Sequence, residues 1–390
     1  MLLIQHQLGN QVLQAEALIR LGVLPEQLYW LDIPYTANAE VRRQLTTRVG
    51  IPEKNLHQNN YKVLSPYASY QRHRSQEILR KFLDDPPERL VVLDDGAYFI
   101  EAMVSFKKKL PQVAIVEQTT RGLIKIEGNA AFRLSVKELP LIDVASSVPK
   151  KTLEPPFIGF SVCEALHRKL KEKGLTASGT RCLVTGFGAI GRQVAHSLVM
   201  RGFQKDHIYI FDTKKKSLKE AASLGYKLWN KDDHTTFHLV VGCSGRSSFG
   251  VGDYVFLEHP AILASASSGS VELSREDFIE LAASHRNDDI YLRNEKLDEE
   301  DIHSDLEFRI VDRDVTFVNG GFPVNFDGRI NCVPAHYIQP TVAMMVEASV
   351  QAAQTKRKGV IGLRPSFCNW VREEFKKELG DESSVVDMNG

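Results

Sequence analysis

Short apolar runs bounded by polar or glycine turns alternate along the chain with segments whose apolar residues recur every three or four positions. The runs read as strands buried on both faces, and the recurring spacing reads as amphipathic helix. Val12, Ala15, Ile19 and Gly22 fall on one face of a predicted helix that follows His6. The pattern then predicts a strand over 28–31, charged helices over 40–48 and 76–82, and a strand over 90–93 that ends on Asp94-Asp95-Gly96. A helix over 98–108 and a strand over 113–116, ending on Glu117-Gln118-Thr119-Thr120, come next. Phe160, Cys163, Leu166 and Leu170 stripe a helix over 157–173. Further strands are predicted over 182–185, 208–211, 238–242, 262–264 and 315–318. The last strong helix, over 340–354, carries Val342, Met345, Val346 and Val350 as a core stripe that returns the chain to its first domain or covers an interface. A charged, loop-rich insert is expected over 287–305, and 380–390 reads as a frayed tail. Strands alternating with helices imply parallel sheets covered by helices, an α/β class.

One stretch organises the rest. The strand over 182–185 runs into Gly186-Phe187-Gly188-Ala189-Ile190-Gly191, then into a helix carrying Val194, Leu198 and Val199, then into a second strand that ends on Asp212. Gly186 suits the tight turn, Gly188 lets backbone approach a pyrophosphate, and Gly191 permits close helix–strand packing. Free N–H groups at the helix start, at Ala189 and Ile190, suit the phosphates. Asp212 stands where an acid binds the ribose 2′-hydroxyl, which favours NAD and repels the extra phosphate of NADP. The adjacent Lys214-Lys215-Lys216 reads as a solvated helix start rather than a phosphate clamp.

Composition narrows the picture without redirecting it. The 390 residues are 43% hydrophobic and 25% charged with a formal net charge of zero, enough for two cores and without a basic or acidic excess. That balance excludes nucleic acid, a membrane surface and polyanionic partners from the expected set. No apolar run is long enough to span a bilayer, and MLLIQHQLGN lacks the apolar stretch of a signal peptide. Five scattered cysteines without a C-x-x-C suit a reducing cytoplasm and argue against a disulfide framework or a zinc site. No metal is expected, and the expected localisation is cytoplasmic.

The order of these elements resembles the adenosylhomocysteinase family. The family's E-x-T-T-x-G element is similar to Glu117-Gln118-Thr119-Thr120-Arg121-Gly122, and its L-D-D-G strand end to Leu93-Asp94-Asp95-Gly96. Its S-V-T-K-S-K-F-D segment is similar to Ser147-Val148-Pro149-Lys150-Lys151-Thr152-Leu153-Glu154, its early histidine to His6, and its V-N-x-G element to Val318-Asn319-Gly320-Gly321. The resemblance implies two doubly wound parallel-sheet domains: a discontinuous substrate domain over 1–155, a Rossmann NAD-binding domain over 156–335, and a helical return with tail over 336–390. Pro149, Pro155 and Pro156 bracket the hinge. It also implies NAD as cofactor, contacts from Thr119, Thr120 and Asn319 to its nicotinamide half, and a homo-oligomer, dimer or tetramer.

The family oxidises a nucleoside 3′-hydroxyl, eliminates the 5′-substituent from the acidified neighbour, adds water and reduces the ketone back. By resemblance Lys150 is the base at the hydroxyl, Glu154 orients it, and Asp95 and His6 handle protons and water. The bland alternatives are an exposed Lys150–Glu154 ion pair, a core histidine at position 6 and a turn residue at Asp95. Several positions depart from the family: Glu154 for aspartate, Pro155 for asparagine, Leu8 for threonine, Gln118 for the glutamate that reads adenosine. Ser267-Ser268-Gly269-Ser270 replaces G-H-F-D, and no lysine–tyrosine tail follows Trp370. The redox parts are kept and the adenosine-reading parts altered, so a specialised nucleoside-like substrate is expected in place of adenosylhomocysteine. The other readings are a plain NAD oxidoreductase and a non-catalytic NAD-binding regulator.

Overall fold

The computed structural model describes residues 1–107, 110, 112–284, 290–294 and 297–380. The end of the helix expected over 98–108, part of the insert expected over 287–305 and the tail from 381 on lie outside the described residues.

The chain opens with β1 (Leu2–Gln5), a buried strand that the sequence pattern did not announce, and α1 (Gly9–Arg20). Gly22 is not on the helix face. It lies past the helix end at φ +100°, the left-handed geometry that glycine tolerates at a C-terminal cap. Next come β2 (Tyr29–Asp32), α2 (Ala39–Thr47), α3 (Tyr67–Asp84), β3 (Leu90–Asp94) and α4 (Tyr98–Val104). They are followed by β4 (Val113–Glu117), α5 (Thr120–Gly128), α6 (Ala130–Lys137), β5 (Pro140–Asp143) and α7 (Val148–Thr152). α3 starts well before position 76 because its buried first half is polar: Tyr67, Gln71, Arg74 and Ser75 face inward.

The middle of the chain contains α8 (Pro155–Glu172), β6 (Cys182–Thr185), α9 (Ala189–Met200), β7 (Ile208–Phe211), α10 (Lys215–Ser223) and β8 (Lys227–Leu228). It continues through β9 (Phe237–Gly242), β10 (Leu257–Ser265), α11 (Arg275–Ser284), β11 (Ile290–Leu292), β12 (Leu306–Ile310) and β13 (Arg313–Phe317). The last elements are α12 (Ala335–Gln354), β14 (Gly359–Gly362) and α13 (Pro365–Leu379). α12 begins before Pro340, which sits inside the helix and removes its own N–H from the ladder.

Two compact units result. One comprises Met1–Asn60, Tyr67–Glu154 and the chain from Gly328 on; the other comprises Tyr61–Pro66 and Pro155–Asp327. The return to the first unit at Gly328 is anchored on α1, where the Gly9 N–H donates to the Ile330 carbonyl at 2.9 Å. Both units are α/β with largely parallel sheets.

In the first unit six parallel strands run in the order β14-β5-β4-β3-β1-β2. Leu3, Ile4, Leu31, Val92, Leu93, Ile115 and Val116 are all fully buried. Each such side chain contributes roughly 1.5–3 kcal/mol relative to exposure. The order reverses between β1 and β3, since β1 leads outward to β2 while β3 leads the other way to β4. Right-handed crossovers then place successive helices on opposite faces and leave a crevice at the carboxyl ends beside that reversal. α12 covers β3, β4 and β5 on the side where α1 packs.

In the second unit the parallel strands run β13-β10-β9-β6-β7-β8, with β12 and β11 added antiparallel at the β13 edge. Numbered within the unit, this is the order 3-2-1-4-5-6 of dinucleotide-binding sheets, with its reversal between β6 and β9. α8 packs on α9, and Val162, Leu166, Val184, Val194 and Leu198 form the core on that side.

Candidate functional site

The strand registers of the first sheet set a row of acids along its carboxyl edge. Asp94 pairs with Glu117, Glu117 with Asp143, and Gln5 with Asp32. Each acid in the row has donors. Asp32 is held by the buried Arg74 guanidinium, and Asp94 accepts from the N–H groups of Tyr98 and Phe99 at the start of α4. Glu117 accepts from the Ala97 N–H and from the N–H and hydroxyl of Thr119. Asp143 accepts from the Ser146 N–H. Burial raises the proton affinity of Asp94 and of Glu117, and the Asp94 charge pushes Glu117 further up. Gly122 is required beside Glu117, because a Cβ there would lie 2.2 Å from its Oε2.

Asp95, one position beyond the row, is the exception. It is 2% exposed, and neither carboxyl oxygen has a hydrogen-bond partner among the described residues. The His6 backbone and Gln118 side chain favour its charge from nearby but close no hydrogen bond of good geometry. Burial, reinforced by Asp94 and opposed by Lys150, pushes its pKa up to about 8, so at neutral pH it carries a proton. His6 Nε2 lies 3.8 Å from Asp95 Oδ2. Burial and the Lys150 charge push the imidazole down to about 3. Its tautomer follows from Thr36. That hydroxyl donates to the Ile33 carbonyl at 2.9 Å, so at 3.1 Å it accepts from Nδ1–H of His6. The Nε2 lone pair is left facing the acid. A neutral acid beside a neutral base, both at the β1/β3 reversal, can pass one proton to a substrate atom and take it back.

Lys150 and Glu154 are brought together as expected but not as an exposed pair. Nζ lies 2.5 Å from Oε2, the two side chains are 15% and 17% exposed, and Thr341 of α12 donates to the same oxygen. The Ser147 hydroxyl caps the short helix that presents Lys150. Because Lys150 lowers the proton affinity of both His6 and Asp95, the three form one electrostatic group. Thr119 caps α5 through its hydroxyl, which also donates to Glu117, while Thr120 is exposed at the first turn. Sequence reasoning missed Thr36, which lies in an ordinary P-Y-T turn without a motif, and the partnered role of Glu117.

The second unit carries the glycine motif. Gly186 adopts φ +95°, and a Cβ there would fall 2.7 Å from Ser244 Cα. A Cβ at Gly191 would lie 1.8 Å from the Gly186 carbonyl oxygen, whereas nothing stands within 4 Å of one at Gly188. The first and third glycines therefore close the strand–helix packing, and the second faces open space. Gly188 and Ala189 are exposed, and the first turn of α9, through Ile190 and Gly191, has N–H groups free of intrahelical partners. Asp212 Oδ2 accepts from the Phe187 N–H and Oδ1 from the Lys214 N–H, both at 2.7 Å, which fixes the carboxylate at the end of β7. These residues fit a dinucleotide. The loops after β9 and β10 are tied by the fully buried Glu272, which accepts from the Ser244 and Ser248 hydroxyls and the Gly245 N–H. Asn319 is committed within its own loop: its amide donates to the Pro323 and Phe326 carbonyls at 2.8 and 2.9 Å. We expect Gly191→Ala to force α9 off Gly186 and to weaken dinucleotide binding at least about tenfold, measured by equilibrium dialysis.

Comparison with known proteins adds the following. No protein-family model matches the chain. It is 27% identical over 296 residues to uncharacterized proteins of two strains of Mycobacterium tuberculosis, the match covering 74% of this chain and 52% of each relative. The chain thus spans about half the length of the curated relatives it matches. Among solved structures it is similar to the dipicolinate synthase A chain of Bacillus subtilis, with 8% identity, 70% of this chain and 82% of that one covered, and a TM-score of 0.37. It is also similar to the CAD of Helicobacter pylori complexed with NADP(H), with 20% identity, coverage of 33% and 34%, and a TM-score of 0.25.

Proposed function

We propose that this chain is an NAD-dependent enzyme on the adenosylhomocysteinase plan. It would oxidise a hydroxyl of a nucleoside-like substrate transiently, with elimination or hydrolysis at the neighbouring carbon. One observation carries the proposal: His6 and Asp95 stand at the carboxyl-end reversal of the first sheet and the glycine turn at that of the second, the places where open α/β sheets bind ligands. Bound NAD supplies a reversible hydride acceptor. Lys150, after passing its own proton to Glu154 or to water, takes the proton of the hydroxyl being oxidised. Asp95 and His6 hold the proton that leaves or enters at the adjacent carbon or leaving group, since the carboxyl is protonated and the imidazole turns Nε2, its unprotonated nitrogen, toward it. Gly186, Gly188, Gly191 and the first turn of α9 hold the pyrophosphate, and Asp212 the adenosine ribose. Family resemblance adds Thr119 and Thr120 on the nicotinamide side.

Asp212 makes the cofactor preference testable. NAD is expected to bind at least about tenfold more tightly than NADP, and Asp212→Ala to lose most of that preference. Equilibrium dialysis of both nucleotides decides it, and failure of NAD to bind sinks the proposal. Incubation with NAD and a panel of nucleosides, adenosylhomocysteine included, then reads thiol release and the reduced-nicotinamide absorbance. Steady thiol release would make adenosylhomocysteine itself the substrate. Net accumulation of reduced cofactor would make the protein a plain oxidoreductase.

A further inference from the structure

A cavity of about 680 Å³ opens in the first unit at the carboxyl end of β2. His6, Asp95 and Lys150 do not line it. Its wall is formed instead by Gln7, the residue after His6, and by Ala37 and Asn38, the residues after Thr36. The cavity therefore begins one residue from the imidazole and one from the hydroxyl that fixes its tautomer.

The charges around it do not cancel. Asp32 is neutralised by Arg74, and Arg42 by Glu53 at 2.5 Å. Lys54 and Lys81 also line the cavity and have no ion-pair partner among the described residues. Gln7 is 3% exposed, and its Oε1 accepts from the Asn38 N–H at 3.4 Å, yet its Nε2 has no partner among the described residues. Because Gln7 lines the cavity, that amide can be offered to an acceptor that enters it. The start of α2, capped by Asn38, adds partial positive charge at Ala39 on the same wall. One inner donor, two unpaired ammonium groups and a helix start make a polar chamber that suits an anion.

We infer that this cavity is a subsite for an acidic group, a carboxylate or a phosphate ester. On the reading proposed above, it is the acidic group of the substrate and lies beside the proton-handling pair. Gln7 grips it from within, and Lys54 and Lys81 draw it in from the mouth. The altered adenosine-reading positions then have a counterpart: recognition has moved from the base to a charged appendage.

Calorimetric titration at low ionic strength with inorganic phosphate, acetate and ribose tests this, using the full chain without nicotinamide nucleotide. Saturable binding of phosphate or acetate, but not ribose, is expected, weakened at least about tenfold in both Lys54→Gln/Lys81→Gln and Gln7→Leu. Phosphate alone would mark a phosphate ester, and acetate alone a carboxylate. Absence of saturable anion binding overturns the inference. So does a loss confined to the lysine variant, which would mark diffuse surface attraction. Since neither cofactor nor turnover enters the measurement, its failure is distinct from a failure to bind NAD.

Discussion

Asp95→Asn is expected to stabilise the protein at alkaline pH while removing its activity. The carboxyl pKa is raised from 3.8 to about 8, so between those values the folded chain holds a proton that the unfolded chain has released. Stability therefore falls as pH rises through that window, and the full penalty remains above it. His6 works the other way. Its pKa is lowered from 6.5 to about 3, so the unfolded chain binds the extra proton and stability falls as pH drops through that window. The two slopes oppose each other where the windows overlap, which leaves a net loss for these groups from about 6.5 to about 8. In Asp95→Asn that loss disappears and the acid limb set by His6 stands alone. At about 1.4 kcal/mol per tenfold change in proton affinity, with relaxation around the site reducing the full value, the gain is about 2–3 kcal/mol. It corresponds to roughly 5–10 °C in Tm for a unit of this size. Melting curves across pH read it directly. An unchanged profile would mean that Asp95 is ionised in the native state and cannot hold the proton. Turnover in the same variant should fall roughly 10²–10⁴-fold, the range of a lost general acid.

That a residue should destabilise its own fold is what marks Asp95, and the sequence could not announce it. The D-D-G string identifies a strand end, but nothing in it says that Asp94 caps α4 while Asp95 goes without a donor among the described residues. The second unit was more legible. β6 and β7 occupy the spans read from their apolar runs, because a strand buried on both faces writes its whole length as apolar residues. β1 was not legible in the same way. It is as short as β6 and its Leu2-Leu3-Ile4 run is as apolar, but only pairing with β2 and β3, which are distant in sequence, marks it as a strand. The polar inner face of α3 hid its first half, and α5, α6 and β5 were too short for a periodic signal. Thr36 reaches His6 only through the fold, so no local spacing could pair them.

Lys150→Met is expected to abolish reduction of bound NAD by substrate, by roughly 10²–10⁴-fold in rate, while leaving NAD affinity within about twofold. The side chain lies in the first unit, and the nucleotide-holding glycines and Asp212 all lie in the second. Binding and chemistry should therefore separate in this variant. Removing the lysine also removes a charge that holds His6 and Asp95 down, so both should titrate at higher pH than in the wild type. An upward move of the His6 titration, followed by its ring proton resonances, reports the loss of that charge independently of turnover. Lys150→Arg sharpens the test. Arginine keeps the positive charge and the reach to Glu154 but does not give up its proton. It should leave His6 near its wild-type titration and still fail to restore the rate. If Lys150→Arg is active, the residue supplies charge alone, and the base at the hydroxyl must be sought elsewhere in the crevice.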